Sequence, residues 1–342
     1  MTALHWPLRG AALVLAAAAL LLPQGSPAQS VATETTAAWP SASLSRGADR
    51  YVTGTAGADA TRVSLEQHVL GGWRAVTSST VDDSGGYRLK VPTWWLGTRT
   101  YRVTSDTASS TSWQTTVAPT YVPRGTRSQF RYSFDSVTRW DPCTVIGYRV
   151  NLTQATRGAL ADTKAAFSRM SQATGYRFAY RGRTSRYPSN GGNSWYPSDT
   201  QIVVAWARPS QSSLLAMYPG AAGVGAAMSR SGYYNGDGTR TGLIVKGMVV
   251  IDSRQKMGAG FGTGLTRGDT LLHEIGHTMG LSHSGSSEQM MYAYLTRSKA
   301  AFGRGDLHGL ETRGAKLGCV RTSPVGRTTS VSPRVSALRT AP

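Results

Sequence analysis

The sequence predicts an α+β protein, with a small antiparallel β-sandwich followed by a domain in which a mixed, twisted sheet packs on a few helices. Short β-rich runs separated by glycine turns fill residues 50–117, as in a sandwich. Across residues 146–251, strand patterns alternate with one helical pattern. The length of 342 residues is enough for about two domains of roughly 150 residues each.

The composition is that of a globular, loop-rich chain with a large positive charge. Apolar residues make up 40% and charged residues 16%, which excludes a highly charged disordered chain and a coiled coil. Lys and Arg number 37 against 18 Asp and Glu, a net charge of +19. The arginines are scattered and accompany no nucleic-acid motif. We therefore expect no nucleic-acid partner, and infer a mild attraction to anionic cell-wall or surface polymers.

The first 28 residues have the pattern of a secretory signal peptide. Arg9 gives a positive start, residues 11–22 are an apolar run, and Ser26 and Ala28 fit a small-residue cleavage site. The run is too short to span a bilayer, which needs about 20 residues, and no later segment is long enough. We expect a secreted, extracellular protein without a transmembrane segment; an N-terminal membrane anchor is the alternative.

Export decides how the two cysteines are interpreted. Cys143 and Cys319 are the only cysteines, and outside the cell an even number favours a disulfide. The alternative is that one of them ligates a metal in a latent form, but neither lies in a C-x-x-C spacing. We predict the Cys143–Cys319 bridge.

Changes in composition divide the rest of the chain into five segments. Prolines at 119 and 123 mark the boundary between the two folded parts, and both ends are rich in Ser and Thr without periodicity. The predicted segments are a flexible leader (29–45), the β-sandwich (46–118), a linker (119–128), the larger domain (129–320) and a disordered basic tail (321–342).

The predicted sandwich has six β-rich runs. Glycine-rich turns separate them, and residues 63–90 resemble the bacterial immunoglobulin-like modules of secreted proteins, in which a V-x-L strand and a GGW turn recur. We interpret this part as an immunoglobulin-like spacer in preference to a ligand-binding module. The predicted strands are 50–52, 63–70, 73–77, 87–91, 100–103 and 113–117.

The larger domain begins with a strand and a helix. Residues 146–150 are the strand, and residues 153–173 have apolar positions at helical spacing, with Gly175 where a C-terminal cap is expected. Further strands are predicted at 178–180, 202–206 and 245–251.

Three of the six histidines lie within the eleven residues HEIGHTMGLSH at 273–283. His273 and His277 are four apart, so both imidazoles lie on one face of a helix, which Asp269 is expected to cap. Gly280 allows a left-handed turn that brings His283 back towards them. Three imidazoles around Zn²⁺ leave a fourth position for water, as a catalytic site requires. Glu274 is placed to accept a proton from that water.

This run has the H-E-x-x-H-x-x-G-x-x-H pattern and resembles the metzincin metallopeptidases. Met291 lies where that family has the methionine of its Met-turn, and Ser284 after the third histidine resembles the matrixin branch. Ala293 stands where matrixins usually have proline, and residues 303–310 resemble their closing helix. The chain lacks their propeptide cysteine switch and second-zinc ligands, so the resemblance implies neither.

The resemblance implies a metzincin-like zinc endopeptidase that acts on proteins or peptides. One catalytic Zn²⁺ would be held by three histidines, with Glu274 as general base and then general acid. A substrate strand would lie along an edge strand near residues 223–227, and we expect a monomer. The alternatives are a buried structural histidine cluster, or a catalytically degenerate protein that binds the cell wall or another surface.

The turn at residues 235–238, with the sequence NGDG, is a candidate for Ca²⁺. Its oxygens are of the type that this ion prefers. No bidentate acid follows, so we favour a plain turn.

Overall fold

The computed structural model describes residues 34–189, 195–294 and 300–323, and the backbone of residues 333–337. The predicted signal peptide, the start of the leader and most of the basic tail lie outside these residues. Within the described ranges, no helix has both the length and the apolar character needed to cross a bilayer.

The N-terminal part consists of strands in two sheets. Each of the six β-rich runs forms a strand, and one more strand lies within the predicted leader. The larger sheet has the order β1-β7-β6-β3-β4, and β2 pairs with β5 in the smaller one. Both sheets contribute side chains to one apolar cluster, which includes Val52, Leu65, Leu89 and Val103. The strands are β1 (Ser43–Ser45), β2 (Tyr51–Thr55), β3 (Arg62–Val69), β4 (Gly72–Thr80), β5 (Gly86–Lys90), β6 (Gly97–Ser105) and β7 (Trp113–Ala118).

The larger part is built on a mixed sheet with the order β11-β10-β12-β14-β13-β16. Strands β11, β10, β12 and β14 are parallel to their neighbours in that order, whereas β13 runs antiparallel to β14 and β16. These strands and the shorter ones are β8 (Arg131–Tyr132), β9 (Thr138–Arg139), β10 (Val145–Asn151), β11 (Arg177–Arg183), β12 (Ile202–Ala207), β13 (Gly223–Tyr234), β14 (Arg240–Asp252), β15 (Leu281–Ser282) and β16 (Pro333–Ala337).

Of the four α-helices in the described residues, two pack together on one face of this sheet. Phe167 and Met170 of the first helix and Leu272 and Ile275 of the third lie in one buried cluster with alternate residues of the central strands. This arrangement agrees with the α+β domain that the sequence predicts. The helices are α1 (Ala159–Thr174), α2 (Ser213–Ala216), α3 (Arg267–Thr278) and α4 (Arg304–Thr312).

Helix α1 is shorter than the helical pattern at 153–173 predicts. It begins only after Gly158, which has a left-handed φ of 87°. Before it, the Asn151 side chain accepts a hydrogen bond from the amide of Thr153, which holds the chain in a turn. At the other end Gly175, with φ 75°, ends the helix as predicted.

The N-terminal sheets contact the larger part directly. The amide of Leu96 donates to the carbonyl of Gln172, and the amide of Thr98 donates to Glu311 Oε1 at 3.0 Å. Trp95 lies flat against Gly175, where an added Cβ would be only 1.6 Å from the indole ring. The described residues from 34 onward therefore belong to one compact unit. The boundaries of the predicted segments stay predictions.

The predicted disulfide is present. Cys143 and Cys319 are 176 residues apart in sequence, and their Cα atoms are 5.3 Å apart. The bridge joins the chain just before β10 to the segment that follows α4.

Candidate metal centre

Helix α3 carries the first two histidines and is buried along its whole length. Its N-cap is Thr266, whose side chain accepts a hydrogen bond from the amide of Asp269. The prediction that Asp269 itself caps the helix was wrong, since that residue lies inside the first turn. The helix ends at Thr278, and Gly280 follows with a left-handed φ of 91°. The chain reverses there, as the sequence predicts, and returns with His283.

The three imidazoles converge on one point. Each offers one ring nitrogen, and these nitrogens all lie within 4.8 Å of one another. The other nitrogen of His273 lies 2.8 Å from the Met290 carbonyl, and that of His277 lies 2.8 Å from the Leu281 carbonyl. Because a carbonyl only accepts, each Nδ1 carries the proton, and each Nε2 presents a lone pair to the centre.

The arrangement of these imidazoles is favourable around a bound metal ion and unfavourable without one. The Nε2 atoms of His273 and His277 are 3.2 Å apart and both are acceptors, so they repel without a cation between them. Within the described residues, His283 Nε2 is buried and has no hydrogen-bond partner. A buried polar atom without a partner requires an explanation, and a bound cation provides one. Three neutral imidazoles are a ligand set typical of catalytic zinc.

Burial favours the neutral form of two of the imidazoles, those of His277 and His283. Burial lowers the pKa of His277 well below its usual value, and the charges of His273 and His283 lower it further. Burial also lowers the pKa of His283 to about 4. Only the neutral ring has a free lone pair, so the site is ready to accept a metal ion at neutral pH.

Glu274 lies beside this cluster and is fully buried. Within the described part of the chain, neither carboxylate oxygen has a hydrogen-bond partner of normal geometry, although the amide of Gly225 lies close enough to interact with the carboxyl group. Burial raises the pKa of this carboxyl well above its usual range, and the nearby amide of Gly225 only partly opposes the shift. An unpaired buried carboxyl is costly, as expected of a group kept for proton transfer and not for stability.

Strand β13 passes close to Glu274 because two of its residues are glycines. An added Cβ on Gly223 would lie 2.9 Å from Glu274 Oε1, and one on Gly225 would lie 2.8 Å from the Cβ of His277. Side chains at these positions would push the strand away from the helix. The glycines therefore bring the backbone of β13 alongside the metal centre.

Met291 lies beneath the helix, as the Met-turn resemblance implies. It is 1% exposed, and its Sδ would be 2.4 Å from a Cβ added to Gly276, between the two helical histidines. The preceding carbonyl, that of Met290, is the one that faces His273. The turn thus supports the metal ligands both by packing and by a hydrogen bond.

Two buried side chains that sequence reasoning missed hold this turn in place. Asp306 of α4 accepts hydrogen bonds from the amides of Met290 at 2.6 Å and Met291 at 3.2 Å. Gln289 Oε1 accepts from the amides of Gly305 and Asp306 at the start of α4. In the sequence, the resemblance of residues 303–310 to the closing helix of matrixins is the one signal that points to Asp306.

Trp140 fixes the other end of the helix. Its indole N–H donates to the carbonyl of Thr278 at 2.8 Å, so it satisfies one of the last carbonyls of α3.

The oxygens of the NGDG turn are already in use. Asn235 Oδ1 accepts two hydrogen bonds from the Arg139 guanidinium, and Asp237 Oδ1 accepts from the amide and hydroxyl of Thr239. This is how a plain turn is held together. The Ca²⁺ prediction itself stays a prediction.

Comparison with known proteins identifies one family. The family model described as matrixin matches residues 107–312, which is more than half of the chain. A search of curated proteins returns no match.

Two of the solved structures that match show a low degree of similarity. One is PhoD, with 9% identity over 51% of this chain and 27% of that chain, at a TM-score of 0.21. Another is the sulfur carrier protein SoxY from Chlorobium limicola f thiosulfatophilum, with 17% identity over 27% of this chain and 82% of that one, at a TM-score of 0.16. This chain thus spans about a quarter of the PhoD structure, and such scores carry no argument about fold or function.

Proposed function

The chain belongs to the matrixin family of zinc metallopeptidases, and on that premise we propose that it is a secreted endopeptidase with Glu274 as general base. The observation that carries the proposal is the pairing of three converging imidazoles with a buried carboxyl group that has no hydrogen-bond partner of normal geometry among the described residues. A purely structural histidine cluster has no need of that carboxylate.

His273, His277 and His283 would hold Zn²⁺. When bound, this ion supplies a Lewis acid that polarises the scissile carbonyl and lowers the pKa of water. Glu274 accepts the proton of the attacking water and then delivers it to the leaving amine nitrogen. Burial raises the pKa of the Glu274 carboxyl, which makes its carboxylate a stronger base towards the proton of the water.

Strand β13 is the best candidate for the surface that positions the substrate. Its backbone runs past Glu274 and His277, and beyond β14 it has one further neighbour, the short strand β16. An extended peptide that pairs with β13 would have its backbone carbonyls beside the metal centre. Main-chain pairing of this kind accepts many sequences, as expected for protein or peptide substrates.

The remaining assignments are also proposals. We propose that residues 1–28 direct export, that the chain acts outside the cell as a monomer, and that the two N-terminal sheets form an immunoglobulin-like β-sandwich. The apolar cluster common to both sheets supports the last of these. The net charge of +19 supports attraction to anionic surface polymers.

The test combines metal analysis with peptide hydrolysis. Glu274→Gln keeps three imidazoles and the side-chain shape, so it should keep near-stoichiometric zinc and a normal fold. Because general acid–base catalysis contributes about 10²–10⁴-fold, kcat/KM should fall at least that far. His283→Ala should lose zinc and activity together.

Glu288→Gln is the matched control, since Glu288 is exposed and lies a few residues after His283. It should behave as wild type. Full activity in a zinc-loaded Glu274→Gln protein would overturn the assigned base. Zinc-loaded wild type without activity on casein or peptides would favour the surface-binding alternative.

A further inference from the structure

The edge of β13 beside the metal centre is occupied by the C-terminal part of the same chain. Strand β16 pairs antiparallel with it over five residues. Ala337 lies opposite Ala226 and Pro333 opposite Arg230, so the chain direction of β16 runs towards the glycines of β13. The segment that the sequence indicates as a basic tail thus adds a strand to the sheet at its active-site edge.

The register brings this strand to the metal centre. Gly225 is the residue of β13 that precedes Ala226, and it is the one packed against Glu274 and His277. A peptide chain that continues the antiparallel pairing past Ala337 meets Gly225 next. The strand therefore runs towards the general base along the edge of β13 that is proposed above to bind the substrate. It covers residues 226–230 of β13.

We propose that residues 333–337 act as an internal competitor, which occupies the substrate edge of β13 and restrains the peptidase. This inference rests on the proposed function, because it takes β13 as the substrate edge. The occupant is a segment of this chain in extended conformation, and its pairing is made by the backbone, as in strand addition.

The competition would be reversible because the strand is short and tethered. A segment on a short flexible linker has an effective concentration of the order of mM. Such a segment excludes a substrate of similar affinity when the substrate concentration is lower than this. Substrate must displace the strand before it binds, so the apparent KM rises. Once substrate is bound, β16 is absent from the cleft and kcat is unchanged.

The test weakens the pairing without shortening the chain. Successive amides of a strand point to opposite sides, so one of two neighbours must face β13. The double variant Val335→Pro with Ser336→Pro removes both donors. The matched control, Val335→Ala with Ser336→Ala, keeps both amides. We expect KM for a short peptide to fall about tenfold in the proline variant, with kcat unchanged, and the alanine variant to behave as wild type.

A second measurement does not depend on activity. Both double variants are placed in the Glu274→Gln protein, and hydrogen–deuterium exchange is followed in the peptide that covers residues 226–230. Loss of β16 should expose amides of β13, so exchange should be faster in the proline variant than in the alanine variant. Equal exchange, or equal KM in an active enzyme, would overturn the proposal. Faster exchange in the proline variant, combined with a zinc-loaded wild-type protein that has no peptidase activity, would support the pairing and refute the proposed function.

Discussion

Replacing Gly276 by alanine sets two local effects against each other. Glycine inside a helix costs about 1 kcal/mol relative to alanine, so propensity alone predicts that Gly276→Ala stabilises the protein. The structure predicts the opposite sign. The new Cβ would lie 2.4 Å from Met291 Sδ and 3.2 Å from Met291 Cε. Carbon contacts are optimal at about 3.5–4.0 Å, so the thioether would have to move by more than about 1 Å.

Met291 has little room for that movement. Its side chain is 1% exposed, and its amide is held by Asp306 Oδ1 at 3.2 Å. Overpacking of this kind costs about 1–3 kcal/mol, which exceeds the gain in helix propensity. We expect the free energy of unfolding to fall by roughly 0–2 kcal/mol, the difference between these two magnitudes.

The effect on metal binding should be clearer than the effect on stability. Movement of the Met-turn displaces the Met290 carbonyl, which lies 2.8 Å from His273 Nδ1. Loss of such a supporting hydrogen bond typically weakens metal affinity about 10–100-fold. We expect Gly276→Ala to weaken zinc binding by this factor, and the zinc Kd is measured by competition with a chelator. Urea unfolding measures the change in the free energy of unfolding.

A double-mutant cycle isolates the contact. Met291→Ala alone leaves a cavity and should cost about 2–5 kcal/mol. The methyl group of Gly276→Ala then enters that cavity, so the double variant should be less destabilised than the sum of the two single changes, by about 1 kcal/mol or more. A Gly276→Ala protein that is about 1 kcal/mol more stable than wild type, with unchanged zinc affinity, would refute the reasoning.

Two further predictions concern the supports of the site. Asp306→Asn replaces one acceptor oxygen by a donor that faces backbone amides, so urea unfolding should show a loss of about 1–3 kcal/mol, with weaker zinc binding; unchanged values would mean that Asp306 does not hold the turn. The pair Cys143→Ser and Cys319→Ser opens a loop of 176 residues, for which chain entropy predicts a loss of about 5 kcal/mol. Thermal unfolding monitored by circular dichroism measures this, and an unchanged Tm would show that the closed loop adds nothing to stability.

The convergence of the three histidines could be predicted from the sequence because local geometry determines their arrangement. A spacing of four residues places His273 and His277 on one helical face whatever surrounds them. The left-handed turn at Gly280 is a property of that residue's missing Cβ, and it directs His283 back to the helix. The strands of the N-terminal sheets followed from β-branched runs and glycine turns for the same reason.

The supports of the ligands could not be predicted in this way. Asp306 and Gln289 act on backbone amides 15–17 positions away, and only the folded chain brings the partners together. An aspartate in the first turn of a helix is usually solvent-exposed, and its charge interacts favourably with the helix dipole. Nothing in its neighbours indicates that Asp306 is fully buried, and the same is true of Arg139.

Family resemblance alone indicates the edge strand near residues 223–227, because the residues of this strand give little periodic signal. Strand β13 begins with GVGAA, in which Val224 is the one residue with high β-propensity, and β16 lies in a segment rich in Ser, Thr and Arg. Both strands are held by backbone pairing, which any residue except proline can make. A surface that binds extended chains through the backbone needs small side chains, so that another chain can approach closely. The features that suit β13 to a peptide strand therefore also remove the periodicity by which a strand is recognised in sequence.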